Sequence, residues 1–208
     1  MTTHPTLLIA TSNAGKVREV KSILEHLPVA FISLADCPGL PAANENGRTF
    51  EENARKKAEH YAGLTGHFTL ADDSGLEVDA LDGAPGIYSA RFSGVPGDDA
   101  ANNAKLLNAL EGVPLQKRTA RFQCVVALAD SKGSLGIGRG SIEGLILHEP
   151  RGCNGFGYDP LFYLAELGLT AAELPPETKN RISHRARALA GIRPTVLRAN
   201  ASIGLADS

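Results

Sequence analysis

The 208-residue chain has few of the features that would announce a specialised setting. It has three cysteines, Cys37, Cys124 and Cys153, an odd number, far apart and without Cys-x-x-Cys spacing. That argues against a zinc site or a disulfide framework and fits a reducing cytosol. Neither sign of charge is in excess, with 21 basic against 23 acidic residues, so nothing suggests a bulk polyanion such as duplex DNA as partner. No apolar run approaches a membrane span, and the start Met1-Thr2-Thr3-His4-Pro5 lacks a basic stretch followed by an apolar one. A soluble cytoplasmic protein is expected. Internal repeats and low-complexity linkers are also missing, which makes one domain, 1–208, the economical reading. A chain of this length can bury a core of its own.

What is present reads as alternating strands and helices. Leu7–Ala10 predicts a buried strand, and Val17, Val20, Ile23, Leu24 and Leu27 recur at helical spacing until Pro28. Val29–Leu34 reads as a second strand. Thr49–Tyr61 reads as a helix with Thr49 at its N-cap and Glu52 completing a capping box. Phe68–Ala71 is read as a strand, Ala100–Leu110 as a helix, and Thr119–Ala129 with Leu135–Leu147 as a hairpin turning near Asp130. The last helix is expected over about Glu177–Ala190, and the tail 191–208 is expected to be variable or frayed. The sum is an α/β fold with a mixed sheet.

The most informative stretch is Ala71-Asp72-Asp73-Ser74-Gly75-Leu76. Neighbouring carboxylates repel one another, so a divalent cation is a common companion. An Asx-turn with solvated carboxylates at the strand's end is the plainer alternative. Thr11-Ser12-Asn13-Ala14-Gly15-Lys16 joins a strand to a helix, where backbone N–H groups, hydroxyls and a lysine suit phosphate. It is not a Walker loop, because Ala10 and Val17 occupy the places of the first glycine and the metal-binding hydroxyl. A plain N-cap at Asn13 beside a surface lysine is the competing reading. Glu45 precedes a glycine turn, able to aim its carboxylate toward Asp72 and Asp73. On the following helix Phe50, Ala54, Lys57 and Ala58 share a face, where a lysine wants an anion. Gly155-Phe156-Gly157-Tyr158-Asp159-Pro160 can bring backbone and ring against a flat ligand, or simply plug the core. Ser183-His184-Arg185, with Lys179 upstream, offers donors to a keto oxygen or phosphate, or forms an ordinary solvated face.

In this order, and with Thr49-Phe50, Asn53-Ala54, Lys57-Ala58 and Gly83-Ala84-Pro85-Gly86-Ile87-Tyr88-Ser89-Ala90-Arg91, the segments resemble the inosine/xanthosine triphosphate pyrophosphatase family over about residues 7–190. The resemblance implies an elongated mixed sheet flanked by helices, a central nucleotide-binding cleft and usually a homodimer. It implies Mg²⁺-dependent cleavage of ITP, dITP or XTP to the monophosphate and pyrophosphate. It makes Asp73 the proton acceptor, with Glu45, Asp72 and Asp73 around the metal. Thr11, Ser12, Asn13, Ala14, Gly15 and Lys16 would grip the phosphates, with Lys57 and Ser74 nearby. Phe156, Gly157, Tyr158, Asp159, Lys179, His184 and Arg185 would receive the base. A relative preferring methylated or pyrimidine bases should lack the Phe156 and His184 motifs together. A non-catalytic purine-nucleotide sensor would not need the acidic pair.

Overall fold

The computed structural model describes residues 5–204. In chain order the elements are β1 (Thr6–Ile9), α1 (Ala14–Leu24), β2 (Ala30–Ser33), α2 (Phe50–Thr65), β3 (Phe68–Val78), α3 (Asp99–Ala109), β4 (Thr119–Asp130), β5 (Gly133–Ile146), β6 (Phe162–Leu164), β7 (Leu169–Thr170), α4 (Pro176–Ile182) and α5 (His184–Gly204), with short 3₁₀ turns between. Seven strands form one mixed sheet in the order β2-β1-β3-β4-β5-β6-β7, which is the α/β class that the alternation of elements predicts. β1 runs parallel to β2 and β3, whereas β6 is antiparallel to both β5 and β7. Among the described residues no helix is long and apolar enough to cross a membrane.

The chain gathers into two compact units. The first holds the residues up to Asp73, Cys124–Gly140 and those from Arg185 onward. Its core joins Leu7, Ile9 and Leu70 of the sheet to Val20 and Leu24 of α1 and to Leu189, Ile192 and Val196 of α5. Burying each such aliphatic side chain stabilises by roughly 1.5–3 kcal/mol. Cys124 lies in the same core, its thiol pushed up to about 12 by burial and therefore inert. A Cβ on Gly138 would stand 2.1 Å from the Ala188 carbonyl oxygen, so α5 approaches β5 at a place where only hydrogen fits.

α5 also departs from the sequence reading, which ended the helix near Ala190 and left the tail from Gly191 frayed. The helix continues to Gly204 with Pro194 inside it. Leu189, Ile192 and Val196 are spaced by three and four, and their buried face holds the extension on the core. Pro194 and Ala190 both face solvent, so water can satisfy the carbonyl that the proline leaves without an N–H. Residues 205–208 of the expected tail lie outside the described residues. The single helix expected from Glu177 is two helices, because Ser183 is extended (φ −66°, ψ 161°).

The second unit holds Ser74–Gln123 and Ser141–His184. Leu76, Val78, Leu106, Phe122, Ile146 and Phe162 belong to its core, where the Phe122 and Phe162 rings lie 4.5 Å apart between centroids. Arg118 is 3 % exposed and donates to the carbonyls of Leu110, Val113 and Leu147, capping the C-terminus of α3 with a cation. Ser89, from the long Gly83–Arg91 motif, receives the Leu76 N–H at 2.9 Å, and its carbonyl accepts the buried Tyr158 hydroxyl at 2.8 Å.

Candidate active site

The acidic pair is not at a strand's end. β3 runs without interruption through Asp72, Asp73, Ser74 and Gly75 to Val78, correcting both the strand boundary at Ala71 and the turn expected after it. Successive strand side chains point to opposite faces, so the two carboxylates leave β3 on opposite sides. Asp72 is 4 % exposed and lies 3.0 Å from the Lys16 ammonium. The Arg185 guanidinium, 1 % exposed, donates to the same oxygen through Nη2 at 3.0 Å and Nε at 3.3 Å, and through Nη1 to Glu19. Burial opposes the charge on Asp72, but Lys16, Arg185 and Lys57 outweigh it and hold its carboxyl well below the usual range.

Asp73 is half-buried and accepts from Asn53 Nδ2 at 3.0 Å. Its carboxyl is raised, chiefly by burial, with Asp72 adding to the rise while Lys57, Lys16 and Asn53 oppose it. Two residues on one strand thus shift in opposite directions, because cations outweigh burial at Asp72 whereas burial outweighs Lys57 and Lys16 at Asp73.

α2 completes this group. Thr49 caps it by accepting the Glu52 N–H at 3.1 Å, although the Glu52 carboxylate returns to the Arg48 N–H, one residue before the expected place. Its buried face carries Phe50, Asn53, Ala54, Lys57 and Ala58. The Lys57 ammonium meets Glu45 at 2.5 Å, the anion its position demanded. Burial disfavours the ammonium, yet Asp72, Glu45 and Asp73 together raise its pKa. Asn53 also accepts the Gly47 N–H at 2.7 Å, so one amide ties the Glu45 turn to Asp73. A Cβ on Gly47 would stand 2.6 Å from Asn53 Oδ1, which is why the turn needs glycine. Asn53 stands in the sequence motif without an evident task there, and Glu19 lies outside every motif. A buried amide on an apolar helix face was the available signal for Asn53.

The phosphate-style turn forms at the head of α1. Thr11 Oγ1 accepts the Asn13 N–H, and Asn13 Oδ1 caps the helix by accepting the Lys16 N–H at 3.1 Å. Ser12, Asn13 and Ala14 are exposed there, at the positive end of the helix.

Among the described residues no three His, Cys, Asp or Glu side chains come together as a metal-holding group. Of the expected trio Glu45, Asp72 and Asp73, Asp72 pairs with Lys16 and Arg185. Glu45 and Asp73 both act on Lys57 and offer carboxylate oxygens. That donor chemistry fits Mg²⁺, which one or two carboxylates plus substrate phosphates commonly hold.

The second unit assembles the rest of the expected residues except Arg185, which belongs with Asp72 in the first. Ser74 follows on β3, half-buried. Asp159 accepts the Phe156 N–H at 2.8 Å and pairs with the buried Lys179 ammonium at 2.5 Å. That ammonium lies 4.8 Å from the centre of the half-buried Phe156 ring. His184 stacks on Phe122 at 4.8 Å with planes 17° apart. A Cβ on Gly155 would fall 2.0 Å from Asp159 Oδ2, and Gly155 has φ +77°, so glycine is required there twice over. Tyr158, by contrast, is buried with its hydroxyl on Ser89, serving as the loop's plug.

A mixed α/β sheet, a helix N-terminus open to anions and carboxylates set among lysines suit a hydrolase of phosphoanhydrides. The chain belongs to the Ham1 family, whose sequence pattern matches residues 7–195. It is 56 % identical over 184 residues to a dITP/XTP pyrophosphatase of Geobacter sulfurreducens, covering 88 % of this chain and 92 % of that one. A dITP/XTP pyrophosphatase of Listeria monocytogenes is 52 % identical over 183 residues, covering 88 % and 90 %. Among solved structures, a HAM1 protein from Coxiella burnetii superposes with a TM-score of 0.81 at 42 % identity, covering 94 % of this chain and 98 % of that one. A nucleoside-triphosphatase / dITP/XTP pyrophosphatase from Mycobacterium abscessus gives 0.73 at 45 % identity, covering 91 % and 99 %.

Proposed function

We propose that this chain, as a single pyrophosphatase domain, hydrolyses ITP, dITP and XTP to the nucleoside monophosphate and pyrophosphate, cleansing the nucleotide pool. One observation carries the reading: α2 holds Asp73 through Asn53 at 3.0 Å and Glu45 through Lys57 at 2.5 Å, while Lys16 at the head of α1 stands 3.0 Å from Asp72. A carboxylate held in place can accept the proton of an attacking water, and nearby ammonium groups stabilise phosphate charge. The names borne by the relatives support the same substrate class.

In this reading the exposed N–H groups at the head of α1 and the Lys16 ammonium receive phosphate oxygens. Glu45 and Asp73 would hold Mg²⁺, which when bound supplies neutralisation of the triphosphate's charge. Asp73 accepts the proton of the attacking water as the bond between α- and β-phosphate breaks, and pyrophosphate leaves against Lys57. Asp72 fixes Lys16 through its ion pair, and Ser74 adds a hydroxyl. The base falls to Phe156, Asp159, Lys179 and His184, with the ring of Phe156 as a stacking surface. Donors facing position 6 accept a keto oxygen and meet the amino group of adenine with donor against donor, which leaves a buried polar group unmet. A homodimer in the cytoplasm completes the proposal.

The deciding experiment is pyrophosphate release from ITP, XTP, dITP, GTP and ATP, with and without Mg²⁺. Mg²⁺-dependent release from ITP, XTP and dITP well above ATP is expected. Tight ITP binding without release would instead make the chain a nucleotide sensor.

A further inference from the structure

The loop bearing Phe156 is held from a helix that no motif marked. On α3, Asp99 Oδ2 accepts the Gly157 N–H at 2.7 Å. One turn on, Asn103 Nδ2 donates to the Gly157 carbonyl at 2.9 Å. Residues four apart on a helix lie on one face, so a single face of α3 grips Gly157 through both its backbone N–H and its carbonyl. The Asn103 amide is oriented by this contact, since its Oδ1 is buried without a hydrogen-bond partner among the described residues. The Gly157 N–H belongs to the peptide that joins it to Phe156, so holding that N–H restrains the backbone from which the Phe156 ring projects.

We infer that Asp99 and Asn103 are positioning residues for base recognition: through Gly157 they hold the Phe156 ring where the purine stacks. The inference rests on the proposed purine-nucleotide reading of that loop. Neither side chain need touch the nucleotide. Binding through the base then depends on them, whereas the phosphate chemistry of the first unit does not.

The test is steady-state pyrophosphate release from ITP by Asp99→Ala, Asp99→Asn, Asn103→Ala and the unaltered chain, with thermal unfolding of each. Asp99→Ala and Asn103→Ala should raise KM about tenfold and leave kcat within about twofold, the pattern of lost ground-state binding. Asp99→Asn keeps an accepting oxygen and should restore KM, although it carries no charge to favour the helix N-terminus. An unchanged KM in both alanine variants overturns the inference. So does a joint fall of kcat and thermal stability that Asp99→Asn fails to reverse, because the role is then structural. If the unaltered chain releases no pyrophosphate from ITP, the functional reading fails first and the inference falls with it.

Discussion

Replacing Asp72 by asparagine removes a carboxylate shared by two cations while keeping its volume on β3. Lys16 lies 3.0 Å from it, and Arg185 donates to it through two nitrogens. Arg185 is 1 % exposed, so its charge would stay buried with Glu19 as its remaining carboxylate of this cluster. Breaking a buried pair by removing one partner costs about 3–5 kcal/mol, and Glu19 sets the expectation near the lower end, about 3 kcal/mol. For a chain of this size that lowers Tm by roughly 6–12 °C. The dependence on pH has a definite sign. Burial works against the Asp72 charge, but Lys16, Arg185 and Lys57 prevail and depress its pKa below the usual 3.8. A depressed carboxyl contributes stability that is fully present above its unfolded pKa and is lost as pH falls through the folded value. The gap between the chain and its Asp72→Asn variant should therefore be constant from about pH 5 upward and shrink in stronger acid. Thermal and urea unfolding across pH measure it. A Tm loss below about 2 °C, or a gap that persists unchanged in acid, would refute the view of Asp72 as anchor of a buried charge cluster.

Asp73→Asn should lower kcat by at least about 100-fold with the fold intact, and near-normal turnover by the purified variant removes Asp73 as proton acceptor. Gly138→Ala would set a methyl 2.1 Å from the Ala188 carbonyl oxygen, and urea unfolding should record a loss of about 1–3 kcal/mol. Chelation of divalent cations should abolish turnover and added Mg²⁺ restore it; full activity after exhaustive chelation excludes the metal from the reaction.

Much of this arrangement was legible because its cause is local. Leu7 to Ile9 is apolar throughout, and the α2 pattern placed Lys57 on a buried face before its partner was known. The demand of that lysine for an anion is general physics, and Glu45 meets it. The strand through Asp72 and Asp73 was not legible, because charges in mid-strand read as a loop unless their partners are known. Lys16 lies on α1 and Arg185 on α5, far away in the chain. Asn53 escaped for the same reason, since its value lies in joining Gly47 to Asp73. β6 and β7 are three and two residues long, too short for any periodicity to register. Beyond Ala190, Gly191 and Pro194 argued for an end to the helix, but core contacts of Ile192 and Val196 overrode them.

The most direct measurement is product identity. The chain is incubated with ITP and Mg²⁺, and the products are resolved by phosphorus NMR beside a parallel reaction with ATP. The account predicts IMP and pyrophosphate, formed at least about 100-fold faster than AMP from ATP, as a buried donor-to-donor mismatch requires. IDP with orthophosphate, or equal turnover of ATP, would contradict it.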